Sequence, residues 1–178
     1  MEKEIKKYKL TKEFIELFNG TKLYRIQALK DFYDIKKGEL GGFIEKEENL
    51  SQDGNAWVSG SARVTGSARV IGSARVTDNA WISGDARVTD NARVSGNAMV
   101  SGNARVTKSV LNFINFANYN ITAYCDFIQI GCKLHTIKEW KKIFKDKTYL
   151  YEALNENDYK KYELAYKFIL SIYKLDNE

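Results

Sequence analysis

The chain has no proline, one histidine, His135, and two cysteines, Cys125 and Cys132, in 178 residues. Without proline, every tight corner must come from Gly, Asn or Asp, the residues that enter left-handed backbone at low cost. A single imidazole leaves little room for histidine-based catalysis, and two thiols are too few for a disulfide framework. Together, Cys125, Cys132 and His135 lack the C-x2-C pairs that make a zinc motif specific, so no metal or cofactor is expected. The sequence holds no apolar run of the ~18 to 20 residues that span a bilayer. Nor does "MEKEIKKYKL" have the apolar core of a signal peptide, which reads as a cytoplasmic protein. P-loop, G-x-S-x-G and H-E-x-x-H motifs are absent too, so nucleotide hydrolysis and nucleophilic or zinc-hydrolase chemistry lack a signature.

Arginine is scarce, and its placement is uneven. Of seven arginines, six lie between residues 63 and 105 (Arg63, Arg69, Arg75, Arg87, Arg93 and Arg105), while lysine serves almost everywhere else. Residues 54–107 carry six basic and three acidic groups, against eleven and eleven before them and eleven and nine after. Most of the +5 net charge therefore sits in this one segment.

The same segment is repetitive. From Gly54 to Thr107 the chain runs through nine hexads of the form Gly/Asp, Asn/Ser/Asp, Ala, Arg/Trp/Met, Val/Ile, Ser/Thr/Ile. A helix has no use for a period of six, but a strand does. The aliphatic residue and the alanine two before it share one face, and the residues flanking the aliphatic share the other. Three strand-and-corner units close a triangular coil of eighteen residues, so the nine hexads predict three regular coils with a core of Ala, Val and Ile. This pattern resembles the hexapeptide repeat of left-handed parallel β-helices, with Val58 to Val106 as the inward aliphatics.

Positions eighteen apart should lie above one another. One face then stacks Arg69, Arg87 and Arg105, a second Trp57, Arg75 and Arg93, and a third Arg63, Trp81 and Met99. Adjacent guanidiniums ~5 Å apart repel by roughly 1 kcal/mol even in water, a cost that Asp78, Asp85 and Asp90 at nearby corners can offset. The plain reading is a solvated wall that resists edge aggregation. The functional reading is a ligand site, with Arg69, Arg87, Arg105, Arg75 and Arg93 gripping phosphate and Trp57 or Trp81 stacking a base or closing a subunit interface.

Open coil ends need atypical caps. Residues 1–53 hold two alternating apolar runs around Asn19-Gly20, a hairpin signal, then "GELGGFIEKEENLS", in which Gly41-Gly42 reads as a turn and Leu50 as the start of the stack. Residues 108–178 begin with a bulkier strand that offers Phe113, Phe116 and Tyr119 as a plug. Next comes a capping box at Thr136 and Glu139, and last a helix from about Asp158 to Leu175. That helix repeats Tyr159, Tyr162, Tyr166, Ile169 and Tyr173, with Leu164, Phe168 and Ile172 alongside, a band wide enough for a core or a subunit contact.

The order "YRIQALKDF", "KKGELGGFIEKEENLS", "GNAWVSGSARV" and "IGC..HT..EW" resembles a family of uncharacterised bacteriophage and prophage accessory proteins. The resemblance implies a small cytoplasmic protein that binds a host target or an anionic ligand, a nucleotide signal or nucleic acid, to counter bacterial defence. A structural phage component is the alternative. A degenerate hexapeptide acyltransferase is the second alternative, since the repeat resembles that of acyltransferases, which use a trimer, a groove histidine and a coenzyme A thioester. Here His135 lies outside the repeat, and no loop breaks the hexads to form a lid. The fold expected is thus mainly β: an N-terminal hairpin cap, a left-handed β-helix over 54–107 and C-terminal helices. The protein is expected to be non-enzymatic and homotrimeric.

Overall fold

The computed structural model describes residues 5–108, 110–116, 119–131, 133–146 and 156–175, and the side chains of all of these except 113–116 and 173–175. The chain divides into two compact units, Met1–Leu111 and Asn112–Glu178.

The first unit is a parallel β-solenoid carrying an antiparallel hairpin. Strands β1 (Tyr8–Glu16) and β2 (Lys22–Ala28) pair around the Asn19-Gly20 turn, where Gly20 takes φ +81°. Strand β3 (Leu40–Ile44) follows, then nine two-residue strands, one per hexad. These are β4 (Trp57–Val58), β5 (Arg63–Val64), β6 (Arg69–Val70), β7 (Arg75–Val76), β8 (Trp81–Ile82), β9 (Arg87–Val88), β10 (Arg93–Val94), β11 (Met99–Val100) and β12 (Arg105–Val106). They form the three walls that the eighteen-residue coil predicts: β5-β8-β11, β4-β7-β10 and β6-β9-β12. The first wall continues through β3 and β2 to β1, which makes it a six-stranded sheet.

Each hexad position has a visible physical job. The repeat alanines and aliphatics, such as Ala62, Val64, Ala86 and Val88, have no solvent exposure. Burial of a Val or Ile side chain contributes ~1.5 to 3 kcal/mol, so the column of aliphatics is the main source of cohesion. Every corner residue from Gly54 to Gly102 has positive φ, including Asp78 (+62°) and Asp90 (+59°). Glycine is needed at Gly54 for a second reason, because a Cβ there would meet the Gly72 carbonyl oxygen at 2.6 Å. Between coils the backbone bonds run regularly, for example Arg63 N–H to Ala80 O at 2.9 Å and Arg69 N–H to Ala86 O at 2.8 Å.

The stack begins earlier than Leu50. Phe43 and Ile44 already pair with Arg63 and Val64, so about four turns are present instead of three. Twenty residues separate Ile44 from Val64 and Leu50 from Val70, against eighteen between Val64 and Ile82. The two extra residues lie between Leu50 and Val58, and there Gln52 accepts from the backbone N–H groups of Lys7 (2.8 Å) and Tyr8 (3.3 Å). Irregularity in the first turn thus ties the hairpin down. Gly41 and Gly42 are strand residues and not a turn. A Cβ on Gly41 would sit 2.5 Å from Ile26, and one on Gly42 would sit 2.7 Å from the Ala62 carbonyl oxygen. At the other end, Val110 N–H donates to Arg93 O at 2.9 Å and extends the second wall.

The second unit holds an antiparallel meander of β13 (Leu111–Phe116), β14 (Tyr119–Tyr124), β15 (Phe127–Ile130) and β16 (Lys133–Thr136), in that order. A single continuing strand is replaced by four, and the chain turns at Cys125, φ +48°, between β14 and β15 and at Gly131, φ +57°, between β15 and β16. Helix α1 (Ile137–Lys145) opens on the predicted capping box, with Thr136 Oγ1 accepting from Glu139 N–H at 3.2 Å and Glu139 accepting from Thr136 N–H at 2.8 Å. Helix α2 (Glu156–Leu175) buries Tyr159, Tyr162, Tyr166 and Ile169, while Leu164 and Phe168 stay exposed. The wide band therefore splits into a core stripe and an outer one. Tyr119 is packed against Tyr162 with ring centroids 6.2 Å apart, while the side chains of Phe113, Phe116 and Tyr173 lie outside the described residues. No described helix is long and apolar enough to cross a membrane.

Candidate functional site

The three outward ladders have the composition read from the hexads, but their surroundings differ. On the third wall, Arg69, Arg87 and Arg105 stack in register, and all three side chains are exposed. Antiparallel or staggered packing would scatter these charges. Parallel in-register strands instead place them ~5 Å apart along the solenoid axis.

The carboxylates at two corners also take part in hydrogen bonds. Asp78 accepts from Gly96 N–H at 2.8 Å and from the Thr77 hydroxyl at 3.0 Å, and Asp90 accepts from the Thr89 hydroxyl at 3.1 Å. They complete the corner and hold it at positive φ.

On the second wall, the N-terminal segment intervenes. Trp57, expected to project outward as a stacking or subunit surface, is only 1% exposed. Tyr8 and Phe32 cover it edge-on, with centroids 6.3 and 5.3 Å away. Its hexad position does point outward, but at the first coil outward means beneath the cap. Trp57 is therefore core, unavailable to a ligand or a second subunit. Lys7 closes the same end, its Nζ donating to the carbonyl oxygens of Ala56 (2.9 Å), Asp53 (3.3 Å) and Gly54 (3.4 Å). Burial pushes the Lys7 amine down to about 8, with Asp53 partly opposing.

One coil further on, Arg75 is half-held. Its side chain is 17% exposed, its guanidinium donates to Asp34, and its Cζ lies 4.9 Å from the centroid of the Tyr33 ring. The same hydrogen bond holds the Asp34 carboxyl below its ordinary range. Arg93, a further coil on, is exposed. Between them lies a pocket of about 220 Å³ lined by Tyr33, Asn55, Ser73, Arg75, Asn91 and Arg93. Asn55, Ser73 and Asn91 fill the same hexad position in successive coils, so the pocket floor is a ladder of amide, hydroxyl and amide. Nothing in the repeat marks Tyr33 or Asp34, and only their place before the first coil brings them here.

On the first wall, Trp81 is half-buried and its indole N–H faces Thr65 Oγ1 at 3.4 Å. It shares a pocket of about 310 Å³ with Arg63 and the hairpin tip, Leu17 to Asn19. His135, in the second unit, lies on β16 with its ring edge-on to Trp140 at 5.0 Å. Cys125 is a half-buried turn residue, and Cys132 lies outside the described residues. Among the described residues, no three His, Cys, Asp or Glu side chains are grouped to hold a metal.

With this geometry in place, comparison with known proteins points the same way for the solenoid. The family described as YdcK Beta solenoid repeat matches residues 92–107, within the last regular coil. Over 61 residues, 30% of this chain, the sequence is 39% identical to the uncharacterized acetyltransferase YdcK of Escherichia coli (strain K12). That stretch is 19% of the relative, so the chain spans about a fifth of the length of the curated relative it matches. The family match lies within the hexad repeat, and the chain carries a β-solenoid repeat similar to that of YdcK.

Proposed function

We propose that this protein is a non-enzymatic binding module that presents an arginine-bearing solenoid wall to an anionic partner. The observation that carries this reading is the register Arg69-Arg87-Arg105: three exposed guanidiniums on one wall, in a chain that has only one arginine, Arg25, outside the hexads. A planar guanidinium grips phosphate with two parallel bonds, and a fixed spacing lets several act on one polyanion. The resemblance to phage and prophage accessory proteins supplies the partner class: a host defence protein, or a nucleotide or nucleic-acid ligand on which defence depends. The hexapeptide resemblance supplies the assembly, a homotrimer.

The test is a binding titration with a single-stranded oligonucleotide and with polyphosphate across a range of salt. Changing Arg69, Arg87 and Arg105 together to Gln should abolish binding and flatten its salt dependence, because released counterions drive such association. Changing them to Lys should weaken it despite equal charge. A triple Gln variant that melts like the parent and binds as well would overturn the reading. Light scattering should give about three times 20.4 kDa, and a mass near 20.4 kDa would remove the trimer.

Acyl transfer is the second reading, favoured by the similarity to a protein named as an acetyltransferase. Against it stands the position of His135, on the meander of the second unit and edge-on to Trp140. Release of free thiol from acetyl coenzyme A by the purified chain would decide in its favour.

A further inference from the structure

The pocket on the second wall carries a more specific reading than the bare arginine ladder. Its roof is the turn Phe32–Ile35, closed by reciprocal backbone bonds of 3.1 and 2.9 Å, with Tyr33 and Asp34 at the tip. Tyr33 takes φ +49°, a conformation that suits Gly, Asn or Asp and strains a bulky aromatic. It is also 72% exposed, so burial of the ring does not explain why a tyrosine is there. Strain held at an exposed tip points to use of the side chain rather than to packing.

Both tip residues act on Arg75. Asp34 neutralises it, and Tyr33 lies against its guanidinium. The positive charge left over in the pocket is that of Arg93, which also lies within the field of Asp34. Next to it run Asn55, Ser73 and Asn91, which offer donors and acceptors in a row. A ligand that satisfies all three features has one anionic group for Arg93, hydroxyls for the amide and hydroxyl ladder, and a flat ring for Tyr33.

We propose that this pocket binds a mononucleotide, its phosphate on Arg93, its sugar along Asn55, Ser73 and Asn91, and its base stacked on Tyr33. At about 220 Å³ the pocket is smaller than the ~300 to 1,000 Å³ that encloses a whole ligand, which suits a phosphate and sugar with the base resting outside. A single excess charge favours a small nucleotide over a polymer, whose affinity needs many phosphate contacts.

The experiment is calorimetry on the full chain with the four ribonucleoside 5′-monophosphates, their nucleosides and inorganic phosphate. At least one monophosphate should bind, with its nucleoside and inorganic phosphate each weaker by ~10-fold or more, since stacking and charge both contribute. Arg93→Gln should weaken it ~10-fold or more with an unchanged melting temperature. Tyr33→Gly is the sharper variant. It removes the ring and relieves the positive-φ strain, so the melting temperature should hold or rise while the monophosphate falls to the affinity of inorganic phosphate. If none of the four monophosphates binds better than inorganic phosphate, the proposal is wrong. If Tyr33→Gly lowers the melting temperature and leaves nucleotide affinity intact, Tyr33 is a clamp on Arg75 and the proposal is equally wrong. The oligonucleotide titration of the triple Gln variant reads the third wall, and this calorimetry reads the pocket on the second, so the two sites fail or stand separately.

Discussion

The second and third walls of the solenoid are built from the same hexad, yet they end in different chemistry. On the third wall the outward positions hold three exposed arginines in register. On the second they hold a buried tryptophan, an arginine stapled by Asp34 and an exposed arginine, in that order along the axis. The gradient follows distance from the N-terminal segment. Tyr8 and Phe32 cover the first coil, the Tyr33–Asp34 tip reaches the second, and Arg93 lies beyond it. A repeat thus specifies which way a side chain points, and a non-repeating neighbour specifies whether that direction is solvent.

The inward positions offer no such freedom, and breaking one should give the largest effect. Val88→Asp places an unpaired carboxylate among residues with no solvent exposure, at a cost of several kcal/mol against a total of ~5 to 15. Loss of the cooperative thermal transition of the solenoid by circular dichroism is the expected result. Arg87→Asp, one residue away and outward, should keep that transition, and equal behaviour of the two variants would refute the register.

The two walls with tryptophans give the next contrast. Trp57→Ala removes a fully covered ring and should cost ~3 to 5 kcal/mol in urea unfolding. Trp81→Ala, at the same hexad position on a half-exposed wall, should cost roughly 1 to 2 kcal/mol. Trp57→Phe should be milder than either reading of its size suggests, because the buried indole N–H finds no acceptor among the described residues and leaving it unpaired already costs ~1 to 3 kcal/mol.

What could be read from the sequence followed from periodicity. The coil length, the three ladders, the positive-φ corners and the inward aliphatics are all consequences of a period of six, and the capping box at Thr136 is local too. The first turn was harder because its two extra residues shift Leu50 into register with Val70, and no hexad survives there to show it. The second unit lacked a repeat, and its meander depends on a turn at Cys125, a residue with no turn preference. The candidate pocket was half legible. Arg75 and Arg93 stand out as arginines, whereas Tyr33 and Asp34 reach them only through the fold of a segment some forty residues earlier.

The buried cap also predicts a pH dependence of stability. Lys7 is pushed down to about 8 from an ordinary lysine value, so between about 8 and 10.5 the unfolded chain holds more protons than the folded one. Stability should therefore rise with pH across that window. Tyr8 has the opposite sign. Burial and the nearby Glu47 and Glu48 raise its phenol, so above ~10 the unfolded chain ionises first and stability falls. Chemical denaturation from pH 7 to 11 should show a maximum near pH 10, and a Lys7→Met variant should lose the rising limb. A monotonic fall from pH 8 in the parent would contradict the assignment.

The smallest effects should come at the corners, where Gly and Asp alternate as if interchangeable. They reach positive φ by different means, since Gly84 has no Cβ to clash and Asp78 uses its carboxylate to accept from Gly96 N–H in the next coil. Asp78→Gly loses that bond and gains backbone freedom in the native conformation, so the two changes oppose and the net should stay within ~1 kcal/mol. Asp78→Ala loses the bond and keeps a Cβ at φ +62°, so both changes act the same way and the cost should be ~2 kcal/mol. The ordering, alanine worse than glycine, is the measurement that matters, read from urea unfolding of the two variants beside the parent. If alanine and glycine cost the same, the carboxylate alone sets the corner and its left-handed geometry carries no penalty. If alanine costs nothing either, the bond to Gly96 is idle, and the aspartates need another reason for standing where seven other corners have glycine.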